Sequence, residues 1–259
     1  MRQKELESFE RLLDIMDELR TRCPWDKEQT FESLRNHTIE ETYELAESVL
    51  NDDLVDMKKE LGDLLLHIVF YAKIASEKGA FDIYDVIESL CEKLIYRHPH
   101  IFGDVDVKGS SENVKRNWEE LKQKEGNKAV LSGVPGSLPA LIKASRVQEK
   151  VRAVGFDWDV REQIWDKVKE ELRELQEALE AGHQEKIEEE FGDLLFSIVN
   201  AARLYNIDPE TALEKTNRKF IKRFNYLEDQ TIKKGRSLKS MNLAEMNLIW
   251  EEAKKFDDH

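Results

Sequence analysis

The chain is short of the residues that interrupt helices, with only 11 glycines and 5 prolines among 259 residues. Together with 36% charged residues, that scarcity leaves little room for anything but a mostly helical chain. Cysteine is nearly absent as well. Cys23 and Cys91 lie far apart, match no metal-ligand spacing, and read as two reduced thiols of a cytoplasmic protein. No apolar run is long enough to span a bilayer; the longest, around Leu64 to Ala72, contains His67. The opening stretch "MRQKELESFERLL" is charged and amphipathic, unlike a signal peptide. Positive charge is also in deficit: 40 Lys and Arg face 54 Asp and Glu, for a net charge of −14. Without a local basic patch, such a chain is not expected to hold nucleic acid or an anionic membrane.

What the sequence does have is acids, placed twice in the same pattern. At an offset of 130, "EETYEL" (Glu40 to Leu45) falls on "EELREL" (Glu170 to Leu175), and "ELGDLL" (Glu60 to Leu65) on "EFGDLL" (Glu190 to Leu195). Glu41, Glu44, Glu60 and Asp63 match Glu171, Glu174, Glu190 and Asp193 without a gap. A match of this period implies duplication, and two copies are too few for a solenoid. The expected architecture is all-α, a tandem duplication of a helical bundle domain. The densest cluster of breakers, Gly126, Gly133, Pro135, Gly136 and Pro139, marks the seam. It divides the chain into domains 1–125 and 138–259 with a linker at 126–137.

In each half the acids lie on two helices joined by a short turn, "NDD" (Asn51 to Asp53) or "AGH" (Ala181 to His183). Leu54, Met57, Leu61, Leu64, Leu65, Ile68 and Ala72 give the second helix its apolar spacing. Residues equally far from the turn of an antiparallel hairpin lie at one height. Glu44 and Glu60 are each eight residues from Asp52, and Glu41 and Asp63 each eleven. The same counts from Gly182 pair Glu174 with Glu190 and Glu171 with Asp193. Partners on one helix stand ~4.5 Å apart along the axis. Four carboxylates therefore converge on a space the size of a hydrated ion. Unless a cation joins them, they repel and at least one must stay protonated. Oxygen-only ligation fits Mg²⁺ or Mn²⁺. One ExxE alone is ordinary on a solvated helix face; two mirrored sets, duplicated, point to metal. A di-iron centre would want two Glu-x-x-His motifs, and only Glu180-x-x-His183 is present, at a hairpin tip. Gly62 and Gly192 each cost ~1 kcal/mol of helix propensity relative to Ala. They are expected to admit a close neighbouring helix or ligand.

Cations recur as well. Lys93 and Arg97 in the first half, and Lys219 and Arg223 in the second, are four apart; so are Trp118 and Lys122, and Trp250 and Lys254. Lysine and arginine beside a carboxylate-held metal suit a polyphosphate, and indole offers a base a flat surface. Any one such Trp–Lys pair is also ordinary packing at a core edge. The halves differ at the acids. Lys167 and Lys186 each precede an acid by four, where the first half has His37 and Asp56. That difference favours a triphosphate in the second half. His67, on the acid stripe, reads as a structural hydrogen bonder rather than a ligand. Asn200, seven after Asp193, faces a sugar or base, where the first half has Phe70. Asp26 and Asp159 read as helix caps, with Trp25 and Trp158 packed over the helix starts. His98 and His100 suit a turn better than a metal site.

Glu171-x-x-Glu174 followed by Glu190-x-x-Asp193, with "CPWDKEQT", "EETYE", "RHPHIF", "VGFDW" and "KFIKRF", resembles the MazG family of all-α nucleoside triphosphate pyrophosphohydrolases over nearly the whole chain. The resemblance implies Mg²⁺-dependent hydrolysis of a nucleoside triphosphate to a monophosphate and pyrophosphate, in a homodimer that clears non-standard or excess nucleotides. Glu171, Glu174, Glu190 and Asp193 would then hold metal and carry the catalysis. Lys167, Lys186, Lys219, Arg223 and Lys254 would contact phosphates, and Trp250 the nucleoside. The second half is the usual catalytic one of the family. A second site at Glu41, Glu44, Glu60 and Asp63 stays open, as does the choice of proton acceptor between Glu170 and the four acids. The competing readings are a metal-stabilised scaffold or nucleotide sensor without turnover, and a hydrolase acting on an alarmone.

Overall fold

The computed structural model describes residues 2–106, 109–110, 113–114, 117–118, 121, 129–233 and 235–256. Its contacts divide the chain into two compact units, Met1–Val114 and Lys115–His259. This division falls earlier than the seam expected at 126–137. Lys122 and Gly126 lie outside the described residues. Turns and bends run from 129 to 139, around Gly133, Pro135 and Gly136, before the next helix starts at Ala140. Among the described residues there is no strand, and no helix is long and apolar enough to cross a membrane.

The first unit contains α1 (Arg2–Arg22), α2 (Pro24–Glu28), α3 (Phe31–Leu50), α4 (Leu54–Glu77), α5 (Ile83–Arg97) and α6 (Pro99–Phe102). α3 and α4 pack as a hairpin, and α1 lies against α4. Met16 of α1, Leu34 of α3, and Val69, Phe70 and Ile74 of α4 form its buried core. α3 starts at a reciprocal cap: Ser33 N donates to Thr30 Oγ1 at 3.2 Å and Thr30 N to Ser33 Oγ at 2.9 Å. Asp53 caps α4, its Oδ1 accepting from the backbone of Val55 and Asp56, both at 3.0 Å. The caps expected of Asp26 and Asp159 are not there. Asp26 is buried inside α2, which begins with Pro24 after Cys23, and a proline at the first helical position leaves one donor fewer to satisfy. Asp159 stands before a short 3-10 turn, Arg161–Gln163, and caps nothing. Of the two indoles, Trp25 is 57% and Trp158 38% exposed.

The second unit contains α7 (Ala140–Ala153), α8 (Ile164–Ala181), α9 (Gln184–Leu204), α10 (Pro209–Lys233) and α11 (Leu243–Ala253). α8 and α9 form the second hairpin; α7 packs on α9 and α10, and α10 on α11. Ile164, Leu175, Ala178, Val199, Ala201, Leu227 and Ala253 are buried. α7 is pinned to α9 where Gln148 Nε2 donates to the Phe196 carbonyl at 2.9 Å. The two hairpin turns share a left-handed residue, Asp52 at φ 53° and Gly182 at φ 71°. The position that fixes which acids face each other is thus duplicated along with them.

Two features look outward. Leu61, Leu65 and Ile68 are exposed on α4, and their counterparts Phe191, Leu195 and Ile198 are exposed on α9. Gly62 and Gly192 have open space where a Cβ would stand, with no atom within 4 Å. Among the described residues, therefore, no neighbouring helix makes the expected close approach. The two glycines of the second hairpin predict substitutions of opposite sign. Gly182→Ala forces an L-residue into the left-handed region and is expected to lower stability by about 1 kcal/mol. Gly192→Ala meets nothing and gains helix propensity, so it is expected to raise stability by up to about 1 kcal/mol. Denaturant midpoints of the two variants check both signs.

Candidate metal centre

α8 brings Glu171 and Glu174, and α9 brings Glu190, to a point where one carboxylate oxygen from each lies within 4.8 Å of the others. Glu171 is 5% exposed and Glu190 3%. Asp193, one turn along α9, is exposed and stands outside this group of three. Lysines hold the buried acids. Lys167 Nζ is 2.6 Å from Glu171 Oε1 and 3.0 Å from Glu170 Oε1. Lys186 Nζ is 2.8 Å from Glu190 Oε1 and 3.0 Å from Glu189 Oε2. These hydrogen bonds push both ammonium groups well above the ordinary lysine range, Glu171 then Glu170 acting on Lys167, and Glu190 then Glu189 on Lys186. Arg173 adds a looser contact, Nη2 to Glu174 Oε1 at 3.7 Å. Glu190 Oε2 is buried with no hydrogen-bond partner. A buried charged oxygen without a partner is costly. An all-oxygen donor set around such an atom fits a hard divalent cation.

The first half repeats the arrangement with different acids in the group. Glu41 of α3 and Glu60 and Asp63 of α4 lie within the same 4.8 Å of one another. Glu44 stays close to Glu60, as the hairpin arithmetic requires. Burial and then the charges of Glu60 and Glu40 push its carboxyl up, against the lysine at 59. Glu41 is also raised, by burial first and then by Asp63, Glu44 and Glu60. Glu60 is held below the ordinary range by Lys59, whose ammonium bonds Oε1 at 2.7 Å. Its Oε2, like that of Glu190, is buried and unpartnered. His37, in the place of Lys167, stands 3.7 Å from Glu40. His67 is no part of the acid group. Its Nδ1 meets Thr38 Oγ1 at 3.0 Å, and Thr38 Oγ1 meets the Tyr71 hydroxyl at 2.7 Å. Burial and then the nearby His37 lower its basicity.

The other expected site residues divide. Arg223 and Trp250 come together on α10 and α11, the guanidinium 5.6 Å from the indole centre, with the Phe220 ring 4.9 Å from the same indole. Lys219 is exposed on α10, and Lys254 bonds Glu251. Asn200 is held: its Oδ1 accepts from Arg203 Nε at 3.0 Å and Nη2 at 2.7 Å, and Arg203 in turn pairs with Asp157. Asn200 therefore has only its amide N–H groups to offer a ligand. Lys93 is exposed on α5. His98 and His100 fall where α5 passes into α6, and His98 Nδ1 meets the Leu94 carbonyl at 2.6 Å. Sequence spacing missed Lys59, which reaches Glu60 as its direct neighbour rather than from four residues away. It also missed Asp157, which lies 46 residues from Arg203 and has no local signal.

The family model described as the MazG nucleotide pyrophosphohydrolase domain matches residues 29–102 and 161–227, once in each half. A Thermotoga maritima protein named nucleoside triphosphate pyrophosphohydrolase/pyrophosphatase MazG is 47% identical over 257 residues, covering 96% of this chain and 97% of its own. An Escherichia coli K12 protein named nucleoside triphosphate pyrophosphohydrolase is 42% identical over 259 residues, covering 96% and 98%. A solved structure of a mazG-related protein from Thermotoga maritima is 31% identical, covers 44% of this chain and 98% of its own, and superposes with a TM-score of 0.39.

The raised carboxyl of Glu41 makes a prediction about the metal-free protein. A carboxyl raised on folding adds stability below its unfolded pKa, and that stability is lost as pH rises through the folded value. Above that value it is gone, and Glu41→Gln restores it by imitating the protonated form. The melting temperature in chelator is expected to rise by about 1–3 °C. A lower melting temperature would contradict the crowding described for this acid.

Proposed function

The chain belongs to the MazG nucleotide pyrophosphohydrolase family, and from that premise we propose that it hydrolyses nucleoside triphosphates to a nucleoside monophosphate and pyrophosphate, with Mg²⁺ or Mn²⁺ held by Glu171, Glu174, Glu190 and Asp193. The observation that carries the metal reading is the buried, unpartnered Glu190 Oε2 inside an all-oxygen cluster. Asp193, exposed one turn away, completes the set by turning towards the same ion. A divalent cation, once bound there, supplies positive charge against the phosphate oxygens and acidifies neighbouring water.

The chain's own residues do the rest. Lys167 and Lys186, beside the acids, bind the polyphosphate and neutralise charge on the leaving pyrophosphate. Lys219, Arg223 and Lys254 add phosphate contacts, and Trp250 stacks on the nucleoside. Asn200, its carbonyl oxygen occupied by Arg203, donates to an acceptor on the sugar or base. Glu170, exposed and already hydrogen-bonded to Lys167 at 3.0 Å, is placed to accept the proton of the attacking water.

The first half holds a second cation at Glu41, Glu44, Glu60 and Asp63, where Glu60 Oε2 is unpartnered too. Lacking Lys167 and Lys186, it is the weaker site for a triphosphate. The domains run over 1–125 and 138–259. The exposed stripes Leu61, Leu65, Ile68 and Phe191, Leu195, Ile198 support a homodimer. Free Cys23 and Cys91 support a cytoplasmic setting.

A panel of nucleoside triphosphates incubated with the full chain and Mg²⁺ is expected to yield monophosphate and pyrophosphate in equal amounts. Glu190→Gln is expected to lower kcat on the order of 10²–10³-fold. Absence of monophosphate from every substrate would overturn the activity. Full activity in a Glu174→Ala, Asp193→Ala double variant would overturn the site.

A further inference from the structure

Lys167 and Lys186 sit at opposite ends of the second-half acids. Counted from Gly182, Lys186 is four residues out, the acids eight and eleven, and Lys167 fifteen. At ~1.5 Å per residue the two ammonium-bearing positions bracket the acids over ~16 Å of hairpin. Each lysine is shared between one buried carboxylate and one exposed neighbour: Lys167 between Glu171 and Glu170, Lys186 between Glu190 and Glu189. Their side chains are 39% and 53% exposed, so both can leave the cluster without disturbing the core. The ammonium of Lys186 occupies Glu190 Oε1, while Oε2 of the same group is open. A dication arriving at Oε2 therefore meets a positive charge already seated across one carboxylate. Like charges at that range repel strongly.

We propose that Lys167 and Lys186 are displaceable counter-ions: a divalent cation ejects their ammonium groups from Glu171 and Glu190, and the ejected groups, still tethered beside the site, then take the polyphosphate. The inference rests on the metal reading above and deepens it by fixing an order, metal before nucleotide. Glu170 and Glu189 are the resting points to which each lysine swings outward. The pair of lysines four residues before the acids belongs to the second half, since the first has His37 and Asp56 at these positions. There Lys59 neutralises Glu60 from the adjacent position instead.

The test is calorimetric titration of Mg²⁺ into the full-length, nucleotide-free protein. It compares the wild type with a Lys167→Met, Lys186→Met double variant. The control is Lys169→Met, which removes a 75%-exposed lysine paired with Asp166 one position off the cluster face. The double variant is expected to bind Mg²⁺ about three- to tenfold tighter, the range that loss of partly exposed ion pairs corresponds to. Lys169→Met should match the wild type. A non-hydrolysable triphosphate, added with saturating Mg²⁺, should bind the double variant more weakly. In the wild type, ¹⁵N resonances of the two lysine ammonium groups should move on adding Mg²⁺ alone. Equal or weaker Mg²⁺ binding by the double variant, or unmoved ammonium resonances in a protein that does bind Mg²⁺, would overturn the displacement and leave the metal site standing. No Mg²⁺ binding by any of the three proteins would overturn both.

Discussion

Like charges held one helical turn apart on facing helices repel, and the chain is organised around that repulsion. In each hairpin the acids are brought together by a turn whose left-handed residue, Asp52 or Gly182, fixes the register of the two helices. Burial of Glu60, Glu171 and Glu190 then strengthens the conflict by removing water. Lysines settle part of it: Lys59 on Glu60, Lys167 on Glu171, Lys186 on Glu190. One oxygen of Glu60 and one of Glu190 are left with no partner. The same oxygen is thus orphaned in both copies, and the proposed cation site rests on that observation.

The copies settle the conflict differently, and the difference bears on function. In the first half a single lysine neutralises the acids, and Glu41 and Glu44 lean towards protonation. A hydrogen-bond chain from His67 through Thr38 to Tyr71 ties α3 to α4 on the same side. In the second half two long, half-exposed side chains do the neutralising, and nearby Asn200 is held in one orientation by Arg203 and Asp157. One duplicated hairpin thus carries an internal hydrogen-bond chain in the first half and two partly exposed lysines on its acids in the second.

Much of this was legible in the sequence because it follows from counting. The facing of Glu44 with Glu60 needs only equal distances from Asp52, and the all-α class needs only few breakers and apolar spacing such as Leu61, Leu64, Leu65 and Ile68. What failed depended on three-dimensional context. Asp26 has a capping side chain but sits inside a turn of helix opened by Pro24, and Thr30 takes the cap of α3 instead. Gly62 and Gly192 signalled a close helix or ligand, and among the described residues no helix comes near. Asp193 shares its spacing with Asp63, yet only Asp63 joins its cluster of three, because helix position sets where the Cβ points and leaves the rotamer beyond it free. The Arg203–Asp157 pair joins residues from separate elements, which no periodicity encodes.

The central claim is that the second hairpin cradles a divalent ion. It is tested most directly by growing crystals of the full chain in Mn²⁺ and recording anomalous scattering. The account predicts a peak bonded by oxygens of Glu171, Glu174 and Glu190, with Asp193 turned inward and Lys167 and Lys186 withdrawn. A map with no peak there, and with both lysines still seated on Glu171 and Glu190 in saturating Mn²⁺, would contradict it.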